Sequence, residues 1–262
     1  MIKFEEVSKN YNGFLAVDKL SLEIKKGELI VILGPSGCGK STTLRLVNRM
    51  VERSGGSIHI NGKDIDQYDT VELRRSIGYV IQSIGLFPHM NVGRNIGIVP
   101  SLLNWDQKRI DKRVKEMLGL VGLDPERYCE KRPSELSGGE AQRIGVARAL
   151  ASDPDILLMD EPFGAVDPIN RLRLQREFRQ IQQKLHKTVL FVTHDVDEAI
   201  LLGDRVCLMN EGRIVQTDTP EGIVMKPANE FVESFFRGEG VLTLLSRKKV
   251  GDALEDKEWK GS

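Results

Sequence analysis

Three stretches of this sequence place chemically capable side chains at spacings that suit one purpose. Gly34-Pro35-Ser36-Gly37-Cys38-Gly39-Lys40-Ser41-Thr42 fits G-x-x-x-x-G-K-[ST] throughout. Glycines let the backbone curl until successive N–H groups point inward at phosphate oxygens, and a helix starting there adds its positive end. Lys40 can then reach β and γ phosphates, and the Ser41 hydroxyl can ligate Mg²⁺. Asp160-Glu161 closes the apolar run Ile156-Leu157-Leu158-Met159. Asp160 there can hold a metal shell, and Glu161 can orient or deprotonate a water attacking a γ phosphate. His194 closes a similar run, Val189-Leu190-Phe191-Val192-Thr193, and is a candidate contact for the same phosphate. A loop that binds nothing, acids that only cap a helix and a structural histidine are the plain alternatives. The pairing with a complete phosphate loop weighs against them.

These groups need elements to hold them. Leu29 to Leu33 is a β-branched run that reads as a buried strand, and Thr43 to Met50 reads as a helix with Leu46, Val47 and Met50 on one side. Upstream, Ile2-Lys3-Phe4 and Leu20 to Ile24 read as antiparallel strands with Tyr11 in the bend, and Lys26-Gly27-Glu28 turns into the loop strand. The Tyr11 ring either stacks on a purine or packs. Ser57 to Ile60 and Ile77 to Ile81 read as two strands around an Asn61-Gly62 turn. The second strand leads to Gln82, which bonds a water or a metal ligand, or is simply solvated. From Gly85 to about Leu150 the pattern turns helical, an insertion between the halves of the sheet. Asn104-Trp105-Asp106-Gln107 has capping-box spacing ahead of Ile110, Val114, Met117, Leu118 and Val121. Leu136-Ser137-Gly138-Gly139-Glu140 opens a second helix: Ser137 and Glu140 suit a capping box, bare amides at a helix start suit an anion, and both readings stand. The runs before Asp160 and His194 suit buried parallel strands, whose carboxyl ends bind ligands in α/β sheets. Val206 to Met209 and Arg213 to Gln216, joined by Asn210-Glu211-Gly212, finish the sheet.

Composition narrows the class. A chain of 262 residues is long enough for one large α/β domain or a core with an inserted subdomain. Lysine plus arginine equals aspartate plus glutamate at 38 each, so no global field marks a nucleic-acid binder. Cys38, Cys129 and Cys207 form no C-x-x-C pair and suit reduced thiols rather than a disulfide frame or zinc site. No apolar run approaches the roughly 20 residues that span a bilayer, and Met1 to Glu6 is no signal peptide.

Taken in order, Tyr11, GPSGCGKST, Gln82, LSGGE, ILLMDEP, Gly164-Ala165-Val166-Asp167 and His194 resemble the ATPase subunit of an ATP-binding-cassette transporter over residues 1 to about 236. The resemblance implies an α/β fold: a P-loop NTPase (RecA-like) core with an antiparallel β subdomain and an inserted α-helical subdomain. The core would take residues 1–85 and 151–236, the helical part 86–150, and 237–262 a C-terminal tail. It further implies a head-to-tail homodimer that sandwiches two ATP molecules with Mg²⁺. Tyr11 would then stack on adenine, Gly34 to Thr42 would cradle the phosphates, and Ser41 and Asp160 would hold the metal with Gln82 sensing it. Glu161 would be the general base and His194 the γ-phosphate contact. Ser137, Gly138, Gly139 and Glu140 would meet the ATP of the other subunit, and Asp167 would touch that subunit. Glu140 stands where Gln is usual and Val166 where Leu is usual. The added negative charge at 140 implies weaker closure of the dimer rather than loss of activity.

Asn48 to Val51, Gln82 to His89, Thr193 to Ala199 and Pro227 to Val232 resemble more narrowly the importers of glycine betaine, carnitine and choline. Such systems imply membrane permease subunits, an extracytoplasmic solute-binding protein and a peripheral place on the cytoplasmic face of the inner membrane. Phe87, Pro88 and His89 are then the expected neighbours of the permease. An importer ATPase for another solute such as an amino acid, a soluble cassette ATPase of DNA repair or translation, and a small-molecule kinase are the other classes. The coiled-coil insertion or tandem cassette of the soluble ATPases is missing, and a kinase has no use for LSGGE. Val241 to Leu245 is apolar and Arg247-Lys248-Lys249 basic, which reads as a short tail or the start of a regulatory region.

Overall fold

The computed structural model of this chain describes residues 1–82, 85–164 and 166–237. Ser83, Ile84, Ala165 and the 238–262 tail, on which parts of the reading above fall, lie outside the described residues.

The chain opens with β1 (Ile2–Tyr11) and β2 (Phe14–Ile24), then β3 (Leu29–Leu33), α1 (Lys40–Val47), β4 (Gly55–Ile60), β5 (Lys63–Asp64), α2 (Thr70–Ser76) and β6 (Ile77–Val80). A helical stretch follows: α3 (Val92–Leu102), α4 (Gln107–Leu120), α5 (Pro125–Tyr128) and α6 (Gly138–Leu150). Then come β7 (Ile156–Asp160), α7 (Pro168–Leu185), β8 (Thr188–Val192), α8 (Val196–Leu202), β9 (Arg205–Asn210), β10 (Arg213–Asp218), α9 (Pro220–Met225) and α10 (Glu230–Phe236). The strands make a four-stranded antiparallel sheet ordered β2-β1-β4-β5 and a six-stranded sheet ordered β10-β9-β3-β8-β7-β6. The larger sheet is parallel from β9 to β6, with β10 antiparallel at its edge.

Every residue of β3, β7 and β8 is buried, as expected of parallel strands covered on both faces. Period-two alternation decides which face each side chain serves. Leu29, Val31, Leu157, Met159, Val189 and Phe191 join the core under α3, α4, α6, α7 and α8. Ile30, Ile32, Leu158, Leu190 and Val192 join a second core with α1 and the small sheet's Ile2, Phe4 and Val17. The central strands β3, β7 and β8 are therefore covered on both faces, and the candidate groups lie at or just beyond their carboxyl ends.

The structure differs from the sequence reading at three local points. The Asn61-Gly62 turn joins β4 to the short β5, and Ile77–Val80 lies in the other sheet. The turn chemistry is local and would suit any partner strand; the partner was set by topology. The cap of α4 is Asp106, whose carboxylate accepts from the Arg109 N–H, while Asn104 takes a left-handed φ of 57° beyond α3. Asp and Asn both cap well, so type alone did not choose between them. Met50 lies past the end of α1 and is exposed, because the helix stops at Val47.

Candidate functional site

The glycine loop leaves the carboxyl end of β3 and enters α1 at Lys40. Gly34 and Gly39 have φ of 155° and 107°, and a Cβ on either would sit 2.2 Å from the Met209 carbonyl oxygen or 2.3 Å from that of Ala16. Only glycine lets the backbone approach these neighbours so closely. Lys40 is buried and folds back over its own loop, its Nζ donating to the Gly34 and Pro35 carbonyls at 2.8 and 2.9 Å. The Thr43 hydroxyl donates to the Gly39 carbonyl at 3.0 Å and closes the loop against the first turn of α1.

Asp160 is the last residue of β7, and the Ser41 hydroxyl donates to its Oδ1 at 2.8 Å. Burial pushes the Asp160 carboxyl above its ordinary range, opposed by that hydroxyl and by the positive charge of Arg45. A hydroxyl and a carboxylate oxygen thus converge beside the loop, the oxygen donor set that suits Mg²⁺, an ion that keeps waters and substrate phosphates as its remaining ligands. Among the described residues no group of three or more His, Cys, Asp or Glu is arranged to hold a metal ion by itself.

Glu161 follows with a left-handed φ of 43°, a costly conformation for a residue with a side chain. Its N–H donates to the Val192 carbonyl at 2.9 Å, and its carbonyl accepts from Gly164 at 3.1 Å, which holds the twist in place. The twisted residue presents its carboxylate to two side chains from neighbouring strand ends. Gln82 Nε2 donates to Oε2 at 2.8 Å, and His194 Nδ1 lies 3.1 Å from Oε1. Gln82, Glu161 and His194 therefore form one constellation beside the loop, which the sequence presented as three separate candidates.

Tyr11 ends β1, half-exposed, with the Lys9 ammonium 4.7 Å above its ring. Beside the loop lies a cleft of about 210 Å³ walled by Phe14 and Leu15, by Ser36 to Cys38, and by Glu211. Phe14, missed in the sequence, is more exposed than Tyr11.

Ser137, Gly138, Gly139 and Glu140 lie elsewhere, at the start of α6. Ser137 caps the helix and Glu140 reaches back to its N–H and hydroxyl at 2.8 and 2.9 Å, a complete capping box. Tyr128 donates its hydroxyl to the other Glu140 oxygen. That bond, helped by the Ser137 N–H, holds the Glu140 carboxyl down at about 2. Among the described residues, no hydrogen bond or ion pair joins Ser137 or Glu140 to the glycine loop of the same chain. Asp167 caps α7, its Oδ1 accepting from the Asn170 N–H at 3.1 Å.

Three more contributors had no sequence signal. Arg45 on α1 carries the charge facing Asp160 and Tyr79. Asn95, fully buried on α3, accepts from the Phe87 N–H at 2.7 Å and donates to the Phe87 and Met90 carbonyls, which pins the segment after Gln82. Arg148 on α6 donates to the Gly85 carbonyl at 2.7 Å. Helices α3 and α6 thus each hold the segment from Gly85 to Met90.

A family model described as ABC transporter matches residues 17–164 of the chain. The glycine betaine/carnitine/choline transport ATP-binding protein OpuCA of Bacillus subtilis is 54% identical over 92% of this chain. The osmoprotectant import ATP-binding protein OsmV of Salmonella typhimurium is 50% identical over 97% of this chain and 68% of its own length. The chain spans 64% of the length of OpuCA. Among solved structures, cbiO1 from Clostridium perfringens, part of the ABC transporter complex cbiONQ, superposes with a TM-score of 0.79 at 30% identity over 94% of this chain and 98% of that one. The dimeric ATP-binding cassette MJ0796, in a post-hydrolysis state bound to ADP and Pi, superposes with a TM-score of 0.75 at 32% identity over 84% and 98% of the two chains.

Proposed function

This chain belongs to the ABC transporter family, and we propose that it is the ATP-binding and ATP-hydrolysing subunit of an importer for an osmoprotectant such as glycine betaine, carnitine or choline. One observation carries the catalytic part: the Glu161 carboxylate stands between Gln82 and His194, one residue beyond the Ser41–Asp160 pair. The solute class rests on the printed functions of OpuCA and OsmV.

In this reading the adenine lies against Tyr11 and the phosphates lie on the loop amides of Gly34 to Thr42. Lys40, with two of its three N–H donors on loop carbonyls, turns its charge toward the β and γ phosphates. Ser41 and Asp160 hold Mg²⁺, with Gln82 beside them; when bound, the ion neutralises phosphate charge. Glu161 orients the attacking water and accepts its proton, and Gln82 and His194 fix the direction of its lone pairs. His194 is exposed enough to meet a γ phosphate from the open side. Among the described residues no hydrogen bond or ion pair joins Ser137 to the glycine loop of its own chain; in this reading Ser137, Gly138 and Gly139 complete the site of a second copy, with Asp167 at the seam. Glu140 is turned back into its own capping box by Tyr128 and Ser137, which reduces the repulsion its charge would exert on the second copy's phosphate.

Phe87, Pro88 and His89 face the permease, and a solute-binding protein acts on the far side of the membrane. No helix among the described residues is long and apolar enough to cross a membrane; a peripheral position on the cytoplasmic face follows from the permease contact. The test is reconstitution of the chain, with the membrane subunits that co-purify with it, into vesicles loaded with ATP, with the system's solute-binding protein supplied outside. Uptake of labelled glycine betaine, carnitine or choline that is lost in Lys40→Ala supports the proposal. ATP hydrolysis with uptake of none of the three contradicts the solute class, and absence of hydrolysis contradicts the enzymatic reading.

A further inference from the structure

His194 is placed by its neighbours in the chain. Thr193 on its amino side is buried and its N–H donates to the Ile32 carbonyl of β3 at 3.2 Å. Asp195 on its carboxyl side donates its N–H to the Thr193 hydroxyl at 3.0 Å and caps α8 through the Glu198 N–H at 3.0 Å. The Asp195 carboxylate has a second partner from another element: Arg171 Nη1 lies 3.7 Å from its Oδ2. The same guanidinium turns its Nε and Nη2 to the Val166 carbonyl, at 3.3 and 2.9 Å. Val166 shares a peptide bond with Asp167, the residue expected at the seam between two copies. One turn along α7, Gln175 Nε2 donates to Glu198 Oε1 at 3.0 Å, so α7 and α8 are fastened a second time.

We propose that Arg171 is a positioning residue that ties the turn ending at Asp167 to His194, so that contact with a second copy sets the distance from His194 to Glu161. The inference rests on the function proposed above. Its path within one chain is short: Asp167, the Val166 carbonyl, the Arg171 guanidinium, the Asp195 carboxylate, and His194 held 3.1 Å from Glu161. A planar fork with several donors can hold a carbonyl and a carboxylate in one geometry, whereas a lysine ammonium on a flexible stem cannot fix both. The Arg171 and Asp195 side chains are about one third exposed, at 30% and 33%. An ion pair so placed contributes little to folding, so the link serves placement rather than stability.

The test measures steady-state ATP hydrolysis by the full chain with Mg²⁺, for wild type, Arg171→Ala, Arg171→Lys and Asp195→Asn. Misplacing one group by about 1 Å costs up to about a hundredfold, so kcat is expected to fall about tenfold or more in Arg171→Ala. KM for ATP should stay within about twofold of wild type, because the loop that binds phosphate is untouched. Arg171→Lys should not restore kcat. Asp195→Asn keeps a helix cap and should lower kcat in the same way, with the double variant no worse than Arg171→Ala alone. Added to Glu161→Gln, Arg171→Ala should leave the ATP-dependent dimer intact. Unchanged kcat in both Arg171→Ala and Asp195→Asn overturns the assignment, as does loss of dimer and kcat together, which would make Arg171 a support of the interface. If Arg171→Ala fails to fold, Asp195→Asn decides alone. Absence of hydrolysis by wild type contradicts the underlying function and this assignment with it, whereas active wild type with active variants contradicts this assignment only.

Discussion

Glu198 offers a quantitative test of how α7 and α8 are packed. Its side chain is buried between the helices, accepts from Gln175, bonds Thr193, and lies near the charges of Asp195 and Arg171. Burial raises its carboxyl from 4.5 to about 7, and the bonds from Thr193 and Gln175 only partly offset that rise. Between these two values the native chain holds a proton that the unfolded chain has released. Stability from this group is therefore fully present below about pH 4.5 and is lost as pH rises through about 7. At 1.36 kcal/mol for each pKa unit, the loss is at most about 3 kcal/mol. Glu198→Gln keeps the size and the acceptor for Gln175 but cannot ionise. Urea unfolding of wild type and variant at pH 5 and pH 8.5 should show the difference in stability moving toward the variant by up to about 3 kcal/mol at the higher pH. A difference that does not change with pH would show that Glu198 is not buried as an acid between these helices.

Gly34→Ala and Gly39→Ala each drive a Cβ against a backbone carbonyl, at 2.2 and 2.3 Å. Titration with a fluorescent ATP analogue should show loss of binding in both, and near-normal affinity would contradict the loop geometry. Tyr128→Phe removes the largest cause of the low Glu140 carboxyl value; a carboxyl NMR titration should find Glu140 moved up from about 2 toward ordinary glutamate values, and no movement would break the link between α5 and α6. Phe191→Ala empties the contact among Phe163, Phe178 and Phe191, whose rings lie 6.1 to 6.5 Å apart. Denaturant unfolding should register a loss of about 3 to 5 kcal/mol, and a loss under about 1 kcal/mol would mean the core closes over the gap.

The parts of the site that the sequence displayed are those made within one element. The loop, its preceding strand and the polar ends of β7 and β8 each announce themselves by composition over a few neighbouring residues, and the Ser137 and Glu140 box needs only a spacing of three. The rest depends on topology. Arg45 faces Asp160 because α1 runs back past β7, and Tyr128 reaches Glu140 across a chain separation of 12 residues. Arg148 finds Gly85 across 63 residues. Periodicity reports which face of an element is apolar, not which element will meet it. The same limit explains the Asn61-Gly62 turn, whose chemistry was legible while its second strand was not. The left-handed φ of Glu161 has no sequence mark at all, since glutamate is a poor choice for it; the surrounding bonds impose it, and that strain turns the carboxylate toward Gln82 and His194.

The most direct test of the account is dimerisation of Glu161→Gln with ATP and Mg²⁺, measured by size-exclusion with light scattering beside wild type and Lys40→Ala. Glutamine keeps the side-chain shape between Gln82 and His194 but cannot take a proton from water. The account predicts an ATP-dependent dimer for Glu161→Gln, with hydrolysis lost, and monomers for Lys40→Ala. Hydrolysis at the wild-type rate by Glu161→Gln would contradict the assignment of Glu161 as base. A Glu161→Gln chain that binds ATP yet stays monomeric, even with Glu140→Gln added, would contradict the composite site built from two copies.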